Sequence, residues 1–181
     1  DKDWKFALAA SGMSEGWVVT IQGEDGTIGY GYASSMAHYG APHETVKGAL
    51  NGLLKRLPGK DSRNVAGIMD ELDHAMIGNN QAKAGIDCAL HDLNARRLGV
   101  PICDFFGGPA VREVSSLRIL PIKSPADMAK NARALAEKGV KHFKIKVHGE
   151  VDEDVARVAA VRAEVGDDLH LTVDANQSYQ P

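Results

Sequence analysis

The sequence predicts an α/β protein in two parts, an α+β segment followed by the opening strands of a parallel sheet. Three observations predict it. The stretch "GWVVTIQGEDGTIGYGYA" holds two β-rich runs around Asp25-Gly26, a strong hairpin signal. Helical periodicity then fills the chain from Pro42 to Gly99. Beyond Gly107-Gly108-Pro109, strand and helix alternate at a period of roughly 25 residues, the signature of βαβ units.

Each element carries its own signal. The chain reads as strands through Ala33. Gly26, Gly29 and Gly31 lack the strand-before, helix-after context of a dinucleotide fingerprint, so they read as turn and strand glycines. Val46, Leu50, Leu53, Leu54 and Leu57 recur at helix spacing until Pro58-Gly59 stops the run. A second helix is expected over 65–76 and a third over about 81–98, with Gly99 and Pro101 as stop signals. Asp87, His91 and Asp92 on the third helix read as surface or buried hydrogen-bonded groups, because no partner motif accompanies them. Cys88 on the same helix reads as a small core residue.

In the second part, "LRILPIK" reads as a strand. Ser124 caps the next helix, Pro125 takes its first position, Asp127 completes a box-like signal, and Gly139 ends it. "VKHFKIKVHGE" alternates at a period of two and is a strand; a helix follows from about Val151 to Val165, closed by Gly166. "LHLTVDANQ" is the third strand of this series.

Composition sets bounds on function. The 181 residues, 44% hydrophobic and 25% charged, match an ordinary globular protein. A net charge of −3 gives no reason to expect nucleic acid or an anionic membrane as partner. No apolar run approaches the roughly 18 residues of a membrane span. The start lacks the basic-then-apolar layout of a secretion signal, and Cys88 and Cys103 fit no metal spacing, so a cytoplasmic location is expected.

The alternating strand poses the chemical question. Phe143, Ile145 and Val147 form one row, and His142, Lys144, Lys146 and His148 form the other. Leu171, Val173 and Ala175 oppose His170, Thr172, Asp174 and Asn176 in the same way. Parallel strands are normally covered on both faces, so these charges must point into something enclosed, where unpaired burial is costly. Lys144, Lys146, Asp174 and Asn176 all fall near the carboxyl ends of their strands, which is where βα-barrels place catalytic groups. Alternate residues on a strand lie about 6.6 Å apart, and two ammonium groups at that distance repel. Such a lysine can serve as general base or as nucleophile. A neighbouring carboxylate suits a hard cation such as Mg²⁺.

These residues carry a resemblance. "DGTIGYGYA", "QAKAGIDCALHDLNARRLGVPICDFFGG", "FKIKV" and "LTVDANQSY", in this order, resemble the enolase superfamily, in its muconate-lactonizing-enzyme and mandelate-racemase-like branch. The resemblance implies an amino-terminal α+β capping domain, 1–112, followed by the first three strands of an incomplete TIM-type β/α barrel, 113–181. It implies a Mg²⁺-dependent isomerase or lyase, Mn²⁺ being an alternative ion, that abstracts the α-proton of a small carboxylate substrate. Lys146 looks like the base, Lys144 like its electrostatic helper, and Asp174 like the first of three acidic metal ligands. Asn176 matches a supporting polar position. Cap loops select substrate in the family, which makes His38 and Tyr39 candidate substrate contacts. A homo-oligomer is expected of the full-length enzyme.

The reaction stays open between racemase or epimerase of an amino-acid derivative, muconate-type cycloisomerase and acid-sugar-type dehydratase. A Schiff-base lysine enzyme and a non-catalytic binding module are the rivals outside the superfamily. A complete βα-barrel takes about 250 residues and eight strands. The later acidic ligands have no counterpart here, so this portion alone is expected to be inactive.

Overall fold

The Asp25-Gly26 turn closes the predicted hairpin. Gly26 takes a φ of +82°, and Asp25 Oδ1 accepts the Thr27 N–H at 3.1 Å. The computed structural model describes residues 5–6, 9–10, 15–37, 40–109 and 113–180. His38 and Tyr39 lie outside the described residues. Two compact units emerge, Ser14–Ala110 and Val111–Pro181, the latter together with Asp1–Met13. Near the start, β1 (Lys5–Phe6) pairs antiparallel with β2 (Ala9–Ala10).

In the Ser14–Ala110 unit, β3 (Glu15–Gln22) pairs antiparallel with β4 (Ile28–Ser35), Val19 standing opposite Gly31. Alternation sends Val19 and Ala33 into the core and leaves Val18, Tyr30 and Tyr32 exposed. Three helices follow: α1 (His43–Leu53), α2 (Val65–Ala75) and α3 (Asn80–Leu98). The first expected helix is shorter than its apolar pattern, because the chain tightens into a 3₁₀ turn over Leu54–Arg56 before Pro58. Leu50, Leu53, Leu72, Ile86 and Leu90 fill the space between helices and hairpin.

Two polar groups of α3 are buried and partnered. Lys83 pairs with Asp73 at 2.7 Å, and Asn94 Nδ2 donates to the Ser62 carbonyl at 2.7 Å. Asp92 accepts the Tyr30 N–H at 2.8 Å and Arg96 Nε at 2.7 Å, tying helix to hairpin as a hydrogen-bonded group rather than a ligand. Cys88 corrects the sequence reading. It is exposed, because Ala82, Ile86, Ala89 and Leu93 define the buried stripe of α3 and Cys88 falls on the other side.

The later unit alternates β5 (Leu117–Leu120), α4 (Pro125–Ala136), β6 (His142–Lys146), α5 (Val151–Val165) and β7 (His170–Asp174). Its strands lie parallel in the order β5-β6-β7. Ser124 caps α4 by accepting the Asp127 N–H at 3.2 Å. Phe143, Ile145 and Val147 are almost wholly buried with Leu120, Met128, Ala132 and Val161. The apolar row thus packs into the core, while the polar row is left to the opposite face. No helix among the described residues is long and apolar enough to cross a membrane.

Candidate functional site

Parallel register builds the site. Lys146 stands opposite Asp174 and Lys144 opposite Thr172, so alternate residues on two neighbouring strands share one face. Lys146 Nζ donates to Asp174 Oδ2 at 2.7 Å and to Asn176 Oδ1 at 2.6 Å. Lys144 Nζ reaches the same Asp174 oxygen at 3.3 Å. The Asn176 N–H donates to Asp174 Oδ1 at 3.1 Å. Lys144, Lys146, Asp174 and Asn176, named from alternation and resemblance, therefore converge.

The backbone is bent to allow this. Asn176 and Gln177 take φ values of +46° and +62°, a left-handed pair that turns the chain straight after β7. Non-glycine residues adopt that region at some cost, and such positions gather at functional sites.

Burial differs across the cluster. The Lys146 side chain is 9% exposed, against 25% for Asp174 and 30% for Lys144. The hydrogen bond from Lys146 holds the Asp174 carboxyl below its ordinary pKa of 3.8; burial opposes that shift, and the Asn176 N–H and Lys144 reinforce it. Asp174 also amends the simple picture of two repelling ammonium groups. Its carboxylate bonds to both and offsets their repulsion.

The polar row extends toward the amino ends of the strands. His142 Nε2 and Thr172 Oγ1 lie 2.8 Å apart, and the His142 and His170 rings meet edge to face at 4.2 Å. Burial, then His170, lowers the His142 pKa below 6.5. His148 leaves the row. Ordered pairing of β6 ends at Lys146, and the His148 ring turns to Glu153 and Asp154 of α5, at 3.3 and 3.7 Å.

Could this constellation hold a metal? Asp174 is a hard oxygen donor of the kind Mg²⁺ prefers. Among the described residues no group of three or more His, Cys, Asp or Glu side chains converges. The donor chemistry of Asp174 fits such an ion.

Residues 2–107 match the mandelate racemase / muconate lactonizing enzyme N-terminal domain family. The chain belongs to that family. Residues 127–181 match the enolase C-terminal domain-like family. The chain is 32% identical to an L-Ala-D/L-Glu epimerase of Clostridium acetobutylicum, covering 99% of this chain and 51% of the relative. It is also 32% identical to a chloromuconate cycloisomerase of Delftia acidovorans, covering 92% and 44%. A dipeptide epimerase of Enterococcus faecalis, crystallised with Mg and the dipeptide L-Leu-L-Tyr, superposes with a TM-score of 0.94 at 28% identity. That similarity covers 99% of this chain and 51% of the other. The chain spans about half the length of the curated relatives it matches.

Sequence reasoning missed one group. Asp154 and Arg157, in the first turns of α5, are buried although their spacing reads as an ordinary charged helix start. The sole local hint is Gly149 just ahead of them.

Proposed function

We propose that this chain is the amino-terminal part of a Mg²⁺-dependent enzyme that removes the α-proton of a carboxylate substrate. The supporting observation is the buried Lys146 Nζ, 2.7 Å from Asp174 Oδ2 and 2.6 Å from Asn176 Oδ1. Lys146, as the neutral amine, takes the proton as general base and becomes the ammonium. Lys144, more exposed at the same face, attracts the substrate carboxylate. Asn176 orients the Lys146 amino group and, through its N–H, the Asp174 carboxylate. Asp174 would hold the ion through its carboxylate, together with further oxygen donors. The bound ion supplies stabilisation of negative charge developing on the substrate carboxylate.

An amino-acid derivative or dipeptide is the substrate class we favour, with racemisation or epimerisation as the reaction. The names of the epimerase relatives support it. Cycloisomerisation is the second reading, favoured by the chloromuconate cycloisomerase relative.

The test is α-deuterium incorporation into dipeptides in D₂O with Mg²⁺, using the enzyme that carries this chain. Lys146→Ala is expected to lower exchange by about 10²–10⁴-fold while sparing Mg²⁺ affinity. Unchanged exchange would show that the base is another residue. The isolated 181-residue chain, with one ligand carboxylate, is expected to show no turnover. Trapping of a lysine adduct by borohydride, with activity indifferent to chelation, would instead establish Schiff-base chemistry.

A further inference from the structure

We infer that Asp154, Arg157 and Tyr179 form a latch that positions Lys146, Asp174 and Asn176 by joining the loops at the carboxyl ends of all three parallel strands. The inference rests on the proton-abstraction reading of that cluster and assigns roles to residues outside it.

The Asp154 side chain is 4% exposed and accepts from four groups. The Gly149 N–H reaches Oδ2 at 2.9 Å, and the His148 N–H reaches Oδ2 at 3.2 Å and Oδ1 at 3.3 Å. Arg157 Nη1 donates to Oδ1 at 2.8 Å, and the Tyr179 hydroxyl donates to Oδ2 at 2.9 Å. Arg157 Nε then donates to the Lys123 carbonyl at 2.9 Å, and its Nη2 pairs with Glu153 at 2.7 Å.

Position in the chain gives these contacts their meaning. Lys123 lies in the loop after β5, His148 and Gly149 in the loop after β6, and Tyr179 in the segment after β7. His148 is two residues beyond Lys146, and Tyr179 is three beyond Asn176. Two backbone contacts tighten the same joint. The Val147 N–H bonds to the Asp174 carbonyl at 3.3 Å, beyond the last ladder pair. Gly149, at φ +99°, sits so close to the next loop that a Cβ there would be 2.6 Å from the Ser178 carbonyl oxygen.

A buried ion pair alone is weak evidence of stability, because desolvation offsets its attraction. Here the pair also satisfies backbone N–H and C=O groups of two loops and holds a phenol from a third. Burial raises and these donors lower the Asp154 pKa, and the donors prevail. Supporting groups of this kind fix reacting groups to sub-ångström tolerance.

The test uses the enzyme that carries this chain, with Tyr179→Phe as the mild variant and Asp154→Asn as the severe one. Tyr179→Phe is expected to keep the fold, hold KM within about twofold and lower kcat about tenfold. The His148 and Gly149 amides are expected to exchange with solvent about tenfold faster. A lower melting temperature with unchanged kcat would reduce the latch to a structural brace and overturn the inference. Unchanged amide protection would overturn it on geometry alone. Should the unmodified enzyme exchange no α-proton from any carboxylate, the proposed function fails. The latch would then stand or fall on the amide measurement, and its catalytic role would be overturned with the reaction.

Discussion

Gly31 of β4 and Gly85 of α3 meet backbone to backbone: a Cβ built on Gly31 would lie 1.9 Å from the Gly85 carbonyl oxygen. Gly29 repeats the relationship one pleat away, 2.1 Å from the Ala89 carbonyl. Neither neighbour is a flexible side-chain end, so an added methyl must push helix and sheet apart. Gly31→Ala is therefore expected to cost about 1–3 kcal/mol in urea unfolding, the range of an overpacked core. A variant as stable as the parent would mean that α3 can slide away freely.

That closeness was hidden from sequence reasoning, which took Gly29 and Gly31 as turn and strand glycines. Periods of two and 3.6 are local properties, so they located the hairpin, the helices and the three parallel strands. They also predicted the shared face of Lys144, Lys146, Asp174 and Asn176, because strand alternation plus parallel pairing leaves few alternatives. What they could not give is which stripe of a helix meets which partner. Cys88 departs from the sequence reading for that reason, and nothing in the string singles out Asp154 and Arg157 as buried. His148 was assigned to the polar row because nothing in an alternating string marks where pairing ceases.

Arg97 and Asp25 offer a check on the tip of the hairpin. Arg97 Nε and Nη2 bond to the two carboxylate oxygens at 2.8 and 3.1 Å. These bonds, helped by the Thr27 N–H, lower the Asp25 pKa from 3.8 to about 2. A folded-state pKa below the unfolded one means that the stabilisation is complete above pH 3.8 and is lost as pH falls toward 2. Carbon-detected NMR titration is expected to place the Asp25 midpoint near 2 and return it toward 3.8 in Arg97→Gln. Acid unfolding of that variant is expected to be correspondingly less steep in this window. A midpoint near 3.8 in the parent protein would discard the pairing.

Ser178 makes the opposite prediction. Its hydroxyl oxygen is buried without a hydrogen-bond partner among the described residues. An unmet buried polar group costs about 1–3 kcal/mol, part of which alanine relieves. Ser178→Ala is expected to leave stability equal or raise it by up to about 1 kcal/mol in chemical denaturation. A clear loss of stability would reveal a partner for the hydroxyl.

The last prediction asks whether Lys146 is kept for folding or for chemistry. Its ammonium is nearly buried, and Asp174 and Asn176 both accept from it. Asp174→Asn removes a countercharge that lies 2.7 Å from that ammonium. The expected loss is about 1–3 kcal/mol, less than for a wholly buried pair because Asp174 is 25% exposed. Adding Lys146→Met to that variant replaces the nearly buried ammonium with an apolar chain of similar length, so stability is expected to recover by about 1 kcal/mol or more. Thermal or urea unfolding of the two single variants and the double variant gives the coupling directly. Recovery in the double variant, with α-proton exchange lowered by about 10²–10⁴-fold in every variant lacking Lys146, is what a lysine retained for proton abstraction predicts. A double variant weaker than Asp174→Asn would mean that the ammonium supports the fold in its own right, through partners other than Asp174.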